Sequence, residues 1–125
     1  ILPAIKAAAQ EIAASYGAQV EMYHYEPLFK DMRQDKRLLE LFKDVMTEFG
    51  ESPRILPDDE ADGSTDVGNV SYEVPTAQPT LQIGLGLEAH TPEFTCAAGS
   101  DYGLDQAIKG AKIMAVVALR YAMCK

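Results

Sequence analysis

Residues 80–87, TLQIGLGL, constrain the fold more than any other stretch. In an extended chain Leu81, Ile83, Leu85 and Leu87 fall on one side and Gln82, Gly84 and Gly86 on the other. Successive side chains alternate across a strand, so this two-residue period predicts a strand with one buried leucine face. The glycines opposite would let a second backbone or a ligand approach closely. A second run, residues 18–25, sets Val20, Met22 and His24 against Glu21, Tyr23 and Tyr25, and its aromatic content favours extended backbone. His24 then reads as a packed or edge histidine. A short extended piece is expected at residues 54–56.

Three other segments carry the helical period. Ile5, Ala8, Ala9, Ile12, Ala13 and Tyr16 recur at three- and four-residue intervals, with Pro3 suited to a first turn and Gly17 to a C-terminal cap. Leu38, Phe42, Val45 and Phe49, with Leu39 and Met46 beside them, define a second amphipathic helix ended by Gly50. Residues 103–123 read as a long helix whose Ile108, Ala111, Ala115, Ala118, Leu119 and Ala122 would lie against a sheet. Helices alternating with strands predict an α/β architecture, helices packed on a sheet. A boundary falls near residues 27–31, separating residues 1–28 from residues 29–125.

Apolar residues at 47% and charged residues at 24% are globular values, and 125 residues suffice for one real core but not two. Acidic side chains outnumber basic ones 19 to 11, giving a net charge of −8, which disfavours nucleic acid as a partner. Asp58, Asp59, Glu60 and Asp62 concentrate part of that charge in one connecting loop, read as a solvated face. The apolar run at residues 113–119 is far shorter than the ~20 residues a membrane span needs. Cys96 and Cys124 have no partner at metal-finger spacing and are expected to be small buried hydrophobes in a reduced, cytoplasmic compartment.

Chemistry-bearing residues gather at the two ends of the 63–94 stretch. Gly63, Ser64, Thr65 and Asp66 offer hydroxyls and backbone N–H groups suited to an anionic or carbonyl oxygen. His90, followed by Thr91 and Pro92, has a partly fixed backbone, as a metal ligand requires. By spacing alone, however, a single loop histidine reads as a solvated side chain and GSTD as a turn.

The strings GSTDVGNVSYEVPT, HTPEF and AAGS, followed by an alanine-rich terminal helix, resemble in order and separation the C-terminal part of the p-aminobenzoyl-glutamate hydrolase-like amidohydrolases. These belong to the dinuclear metallopeptidase family of the aminoacylases and glutamate carboxypeptidases. The opening helix and strand resemble the end of that family's ferredoxin-like lid. The resemblance implies a C-terminal part of a metallopeptidase catalytic domain at residues 29–125, preceded by the last helix and strand of a lid at residues 1–28. It implies a parent that binds two divalent cations, zinc or manganese, and forms a homodimer through the lid. That parent would hydrolyse an amide bond of a dipeptide or an N-acyl or aminobenzoyl amino acid with a metal-activated water.

By the same resemblance His90 is a metal ligand, and Gly63, Ser64, Thr65, Asp66 and, less strongly, Asn69 line the substrate pocket. No catalytic residue is implied here. The family's H-x-H-x-D or C-x-H-x-D motif and its Glu-Glu pair are missing, so these 125 residues alone are expected to be a catalytically silent piece that binds no metal tightly. The competing expectation is a stand-alone α/β ligand-binding or interaction module. Self-association through the exposed strand of residues 1–25 is a further expectation.

Overall fold

The computed structural model describes residues 1–57, 60 and 63–123. Asp58, Asp59 and Asp62 of the acidic loop, together with Cys124, lie outside the described residues. Five helices follow in order: α1 (Leu2–Ser15), α2 (Lys36–Glu48), α3 (Val67–Val70), α4 (Pro92–Ala98) and α5 (Asp101–Met123).

Among the described residues there is no β-strand, which overturns the α/β expectation and with it the sheet of a catalytic domain and the strand of a lid. The reason is pairing. An alternating pattern states which face of an extended segment is apolar but supplies no neighbour, and a strand exists only where its N–H and C=O groups find a second backbone. Residues 80–87 run as irregular chain over α5, where Leu81 packs against the core and the Gln106 side-chain amide Nε2 donates to the Gln82 carbonyl at 2.9 Å. Residues 18–25 and 54–56 likewise have no ladder partner, and His24 is exposed rather than packed.

Helix ends follow their chemistry. Asp35 caps α2 by accepting from the Leu38 N–H at 2.8 Å. At the other end Gly50 takes φ 83°, and the Gly50 and Glu51 N–H groups close back on Thr47 and Met46 carbonyls, a paired arrangement that satisfies two orphan acceptors. α1 ends in the same way at Gly17.

The core lies between α2 and α5. Val45, Met46, Ile113 and Val117 are buried there, and Leu38, Leu41, Phe42, Phe49, Leu81 and Val116 pack around them. The α2 stripe is the one its period predicts. On α5 the buried positions are instead Gly103, Gln106, Ile113 and Val117, while Ile108 and Leu119 of the expected stripe are more than half exposed. Gly103 brings α5 against the Ala97 and Ala98 carbonyls at the end of α4, and Gln106 is buried because both donors of its amide are used. Arg120 donates bidentately to Glu48 at 2.6 and 2.8 Å, tying the C-terminal ends of α5 and α2. Lys109 Nζ of α5 donates at 2.5 Å to Glu51, three residues past the end of α2.

α1 stands apart. None of its residues is buried, and helix-to-helix packing is confined to α2 with α5 and α4 with α5. Cys96, expected inside, is exposed on α4.

Candidate functional site

α3 is a single turn with a backbone laid directly over it. Asn69 accepts the Lys30 N–H at 2.7 Å through Oδ1 and donates from Nδ2 to the Leu28 carbonyl at 3.1 Å. Ser71 Oγ accepts the Arg33 N–H at 2.9 Å. Gly68 makes this approach possible, since a Cβ there would overlap the Lys30 carbonyl oxygen. Tyr72 completes the clamp: its hydroxyl donates to Asp31 at 2.5 Å, and Lys30 and Arg33 lie over its ring at 4.5 and 3.8 Å. The Tyr72 hydrogen bond, assisted by the Arg33 charge, holds the Asp31 carboxyl below its usual range, and the same bond pushes the phenol up.

The loop entering α3 contains the sequence-predicted pocket residues. Thr65 is half-buried and its Oγ1 accepts the Val67 N–H at 3.2 Å, so its oxygen helps start the helix. Gly63, Ser64 and Asp66 are exposed, and among the described residues the Ser64 and Asp66 side chains have no hydrogen-bond partner. Asn69 sits one turn further on with both ends of its amide engaged by residues 28 and 30. Ser64 and Asp66 are therefore the loop's free polar side chains, whereas Asn69 holds chain.

His90 is exposed and adopts φ 65°, the one non-glycine residue with positive φ among those described. That conformation is uncommon outside glycine, although histidine tolerates it better than most residues. Thr91 fixes it. The Thr91 hydroxyl donates to the Glu88 carbonyl at 2.7 Å and accepts the Phe94 N–H at 3.2 Å, closing the turn while capping α4. Pro92 and Glu93 occupy the first turn of α4, where a missing N–H and a negative charge are both favourable. The Thr-Pro-Glu order carried a cap signal that the loop reading of HTPEF passed over. Among the described residues, no hydrogen bond joins this turn to the 63–66 loop, and no three His, Cys, Asp or Glu side chains are grouped as a metal ion requires.

An apolar cleft of about 500 Å³ lies elsewhere, between α5 and residues 77–83. Phe42, Leu81, Ile83 and Met114 form its walls and Gln78 and Gln106 its polar edge. None of the six sequence-predicted site residues lines it.

Part of this chain is similar to dipeptidases. The relatives are the Xaa-Arg dipeptidases of Homo sapiens and Mus musculus, each 44% identical over 57 residues. That stretch makes up 46% of this chain and only 13% of the length of each relative. No family model matches the chain, and no solved structure matches it significantly. No helix among the described residues is long and apolar enough to cross a membrane.

Proposed function

We propose that these residues form part of a hydrolase that cleaves the amide bond of a dipeptide or an N-acyl amino acid. The observation that carries this reading is the 44% identity over 57 residues with dipeptidases. In this reading Ser64, exposed like its neighbour Gly63, donates its hydroxyl to a substrate oxygen. Asn69 acts indirectly by pinning residues 28–30 behind the loop. His90, turned outward by its backbone and held by Thr91, is offered as one imidazole ligand to a divalent cation such as zinc or manganese.

A single imidazole does not make a metal centre, and the described residues group no further ligands around it. They do not by themselves fit the two-cation site that the resemblance implies. The rest of such a site would be supplied by polypeptide other than these residues.

The test is made on a longer polypeptide that includes this segment. It should hydrolyse Xaa-Arg or related dipeptides, and His90→Ala should lower both turnover and bound divalent metal, measured by elemental mass spectrometry, while His24→Ala changes neither. Equal metal content and turnover in the His90 and His24 variants would remove His90 from the site. A longer polypeptide with no turnover across a dipeptide and N-acyl amino acid panel would sink the hydrolase reading.

A further inference from the structure

We propose that Tyr72 and Asp31 are positioning residues for the substrate loop, fixing where Ser64 stands by locking residues 28–35 against the segment that begins with α3. The inference rests on the hydrolase reading and deepens it. Two stretches far apart in sequence run side by side in the same direction. The Lys30 N–H meets the Asn69 side chain, that of Arg33 meets Ser71 and that of Asp35 meets the Thr76 carbonyl, at 2.7, 2.9 and 2.7 Å. Tyr72 carries the charged contact of this zipper: its hydroxyl donates to the Asp31 carboxylate while the Lys30 and Arg33 cations lie over its ring. A hydrogen bond to a carboxylate is roughly twice as strong as a neutral one, so this pair is the firmest tie between the two stretches.

The zipper joins the core to the loop. At one side Asp35 caps α2, and α2 supplies Val45 and Met46 to the core, so residues 28–35 lead straight into a packed body. At the other side Val67 opens α3, and its N–H is held by the Thr65 hydroxyl at 3.2 Å, next in sequence to Ser64. Gly68 lies against the Lys30 carbonyl with no room for a Cβ, so α3 and residue 30 must shift together. Helix-to-helix packing among the described residues does not involve α3, and within them its place is set by residues 28–35. A hydroxyl that meets a substrate oxygen has to be held within about 0.5 Å of its productive place, and one carried on a loop takes that precision from the contacts behind it.

The test is made on the longer polypeptide that includes this segment, with Tyr72→Phe, which keeps the ring under both cations and deletes only the hydroxyl. KM for a dipeptide should rise about fivefold or more with kcat within about twofold of the parent, because a binding contact is misplaced and the reacting groups are not. Bound divalent metal should stay the same. Asp31→Asn, which can still accept from Tyr72, should keep most of the affinity, and Asp31→Leu should not. In a Ser64→Ala background Tyr72→Phe should change KM no further, since it acts through Ser64. Glu48→Gln, which weakens the Arg120 bridge between α2 and α5, should leave KM alone, so lost stability by itself does not mimic the effect. Hydrogen exchange at the Lys30 and Val67 amides, which needs no turnover, should quicken in Tyr72→Phe. Parental KM in Tyr72→Phe, a rise undiminished without the Ser64 hydroxyl, or unchanged exchange at both amides would overturn the proposal. A parent without turnover sinks the hydrolase reading instead, and the two amides still decide whether Tyr72 holds the loop.

Discussion

Replacing Gly68 by alanine should destabilise the protein, against the usual sign for that change in a helix. In an exposed helical turn Gly→Ala gains about 0.5–1 kcal/mol from reduced backbone entropy. Here the new methyl would overlap the Lys30 carbonyl oxygen and stand 3.1 Å from its carbon and 3.2 Å from the Asp31 oxygen. All three are backbone atoms, with no flexible side chain to give way. Relief requires residues 28–33 to move outward by roughly 1 Å. That takes the Lys30 and Arg33 N–H bonds, now 2.7 and 2.9 Å, beyond the range in which an N–H···O bond holds. Losing these two, with the Leu28 and Asp31 contacts weakened, removes about 2–3 kcal/mol at about 1 kcal/mol per bond. Net of the helical gain, a loss of about 1–2 kcal/mol is expected in urea unfolding. Hydrogen exchange supplies the local readout, with the Lys30 and Arg33 amides losing protection while those of the α2 and α5 interior keep it. A Gly68→Ala protein as stable as its parent, with the Lys30 amide still protected, would refute the clamp.

Val45→Ala empties a side-chain position with no solvent exposure and should cost about 2 kcal/mol in unfolding free energy, against less than 0.5 kcal/mol for Leu85→Ala, whose side chain is almost wholly exposed. Acid should loosen the fold through two carboxylates. Asp31, bonded by Tyr72, and Glu48, bonded by Arg120, are both held below the usual range, so their stabilisation is complete above the unfolded value of about 4 and is lost as pH falls through the folded values. Unfolding measured from pH 6 down to pH 2 should show this slope, and Asp31→Asn with Glu48→Gln should flatten it. Thr91→Val removes both bonds that close the His90 turn and should lower stability by about 1–2 kcal/mol, whereas Thr91→Ser should retain most of it, as thermal denaturation would report.

Local pattern fixed much of the helical structure and little of how the elements meet. The α2 stripe was legible because every buried position in it is apolar. The α5 face was misread for the opposite reason. Its buried line runs through Gly103 and Gln106, so composition pointed to the alanine face that the structure leaves exposed. Residues 80–87 show the limit of alternation, which encodes two faces but no neighbour. The α4 start was written in Thr91, Pro92 and Glu93 and could have been read from cap chemistry. Asn69 could not. Its partners lie 39 and 41 positions earlier in the chain, and no local rule announces a side chain that holds a distant backbone in place.

The left-handed backbone at His90 complicates any experiment that deletes its ring. Alanine there loses the imidazole and also inherits a geometry it tolerates poorly, so a fall in activity or metal content would mix two causes. Glycine accepts the same φ without penalty, and asparagine accepts it better than most residues, so comparing His90→Gly, His90→Asn and His90→Ala separates the missing nitrogen from a relaxed loop.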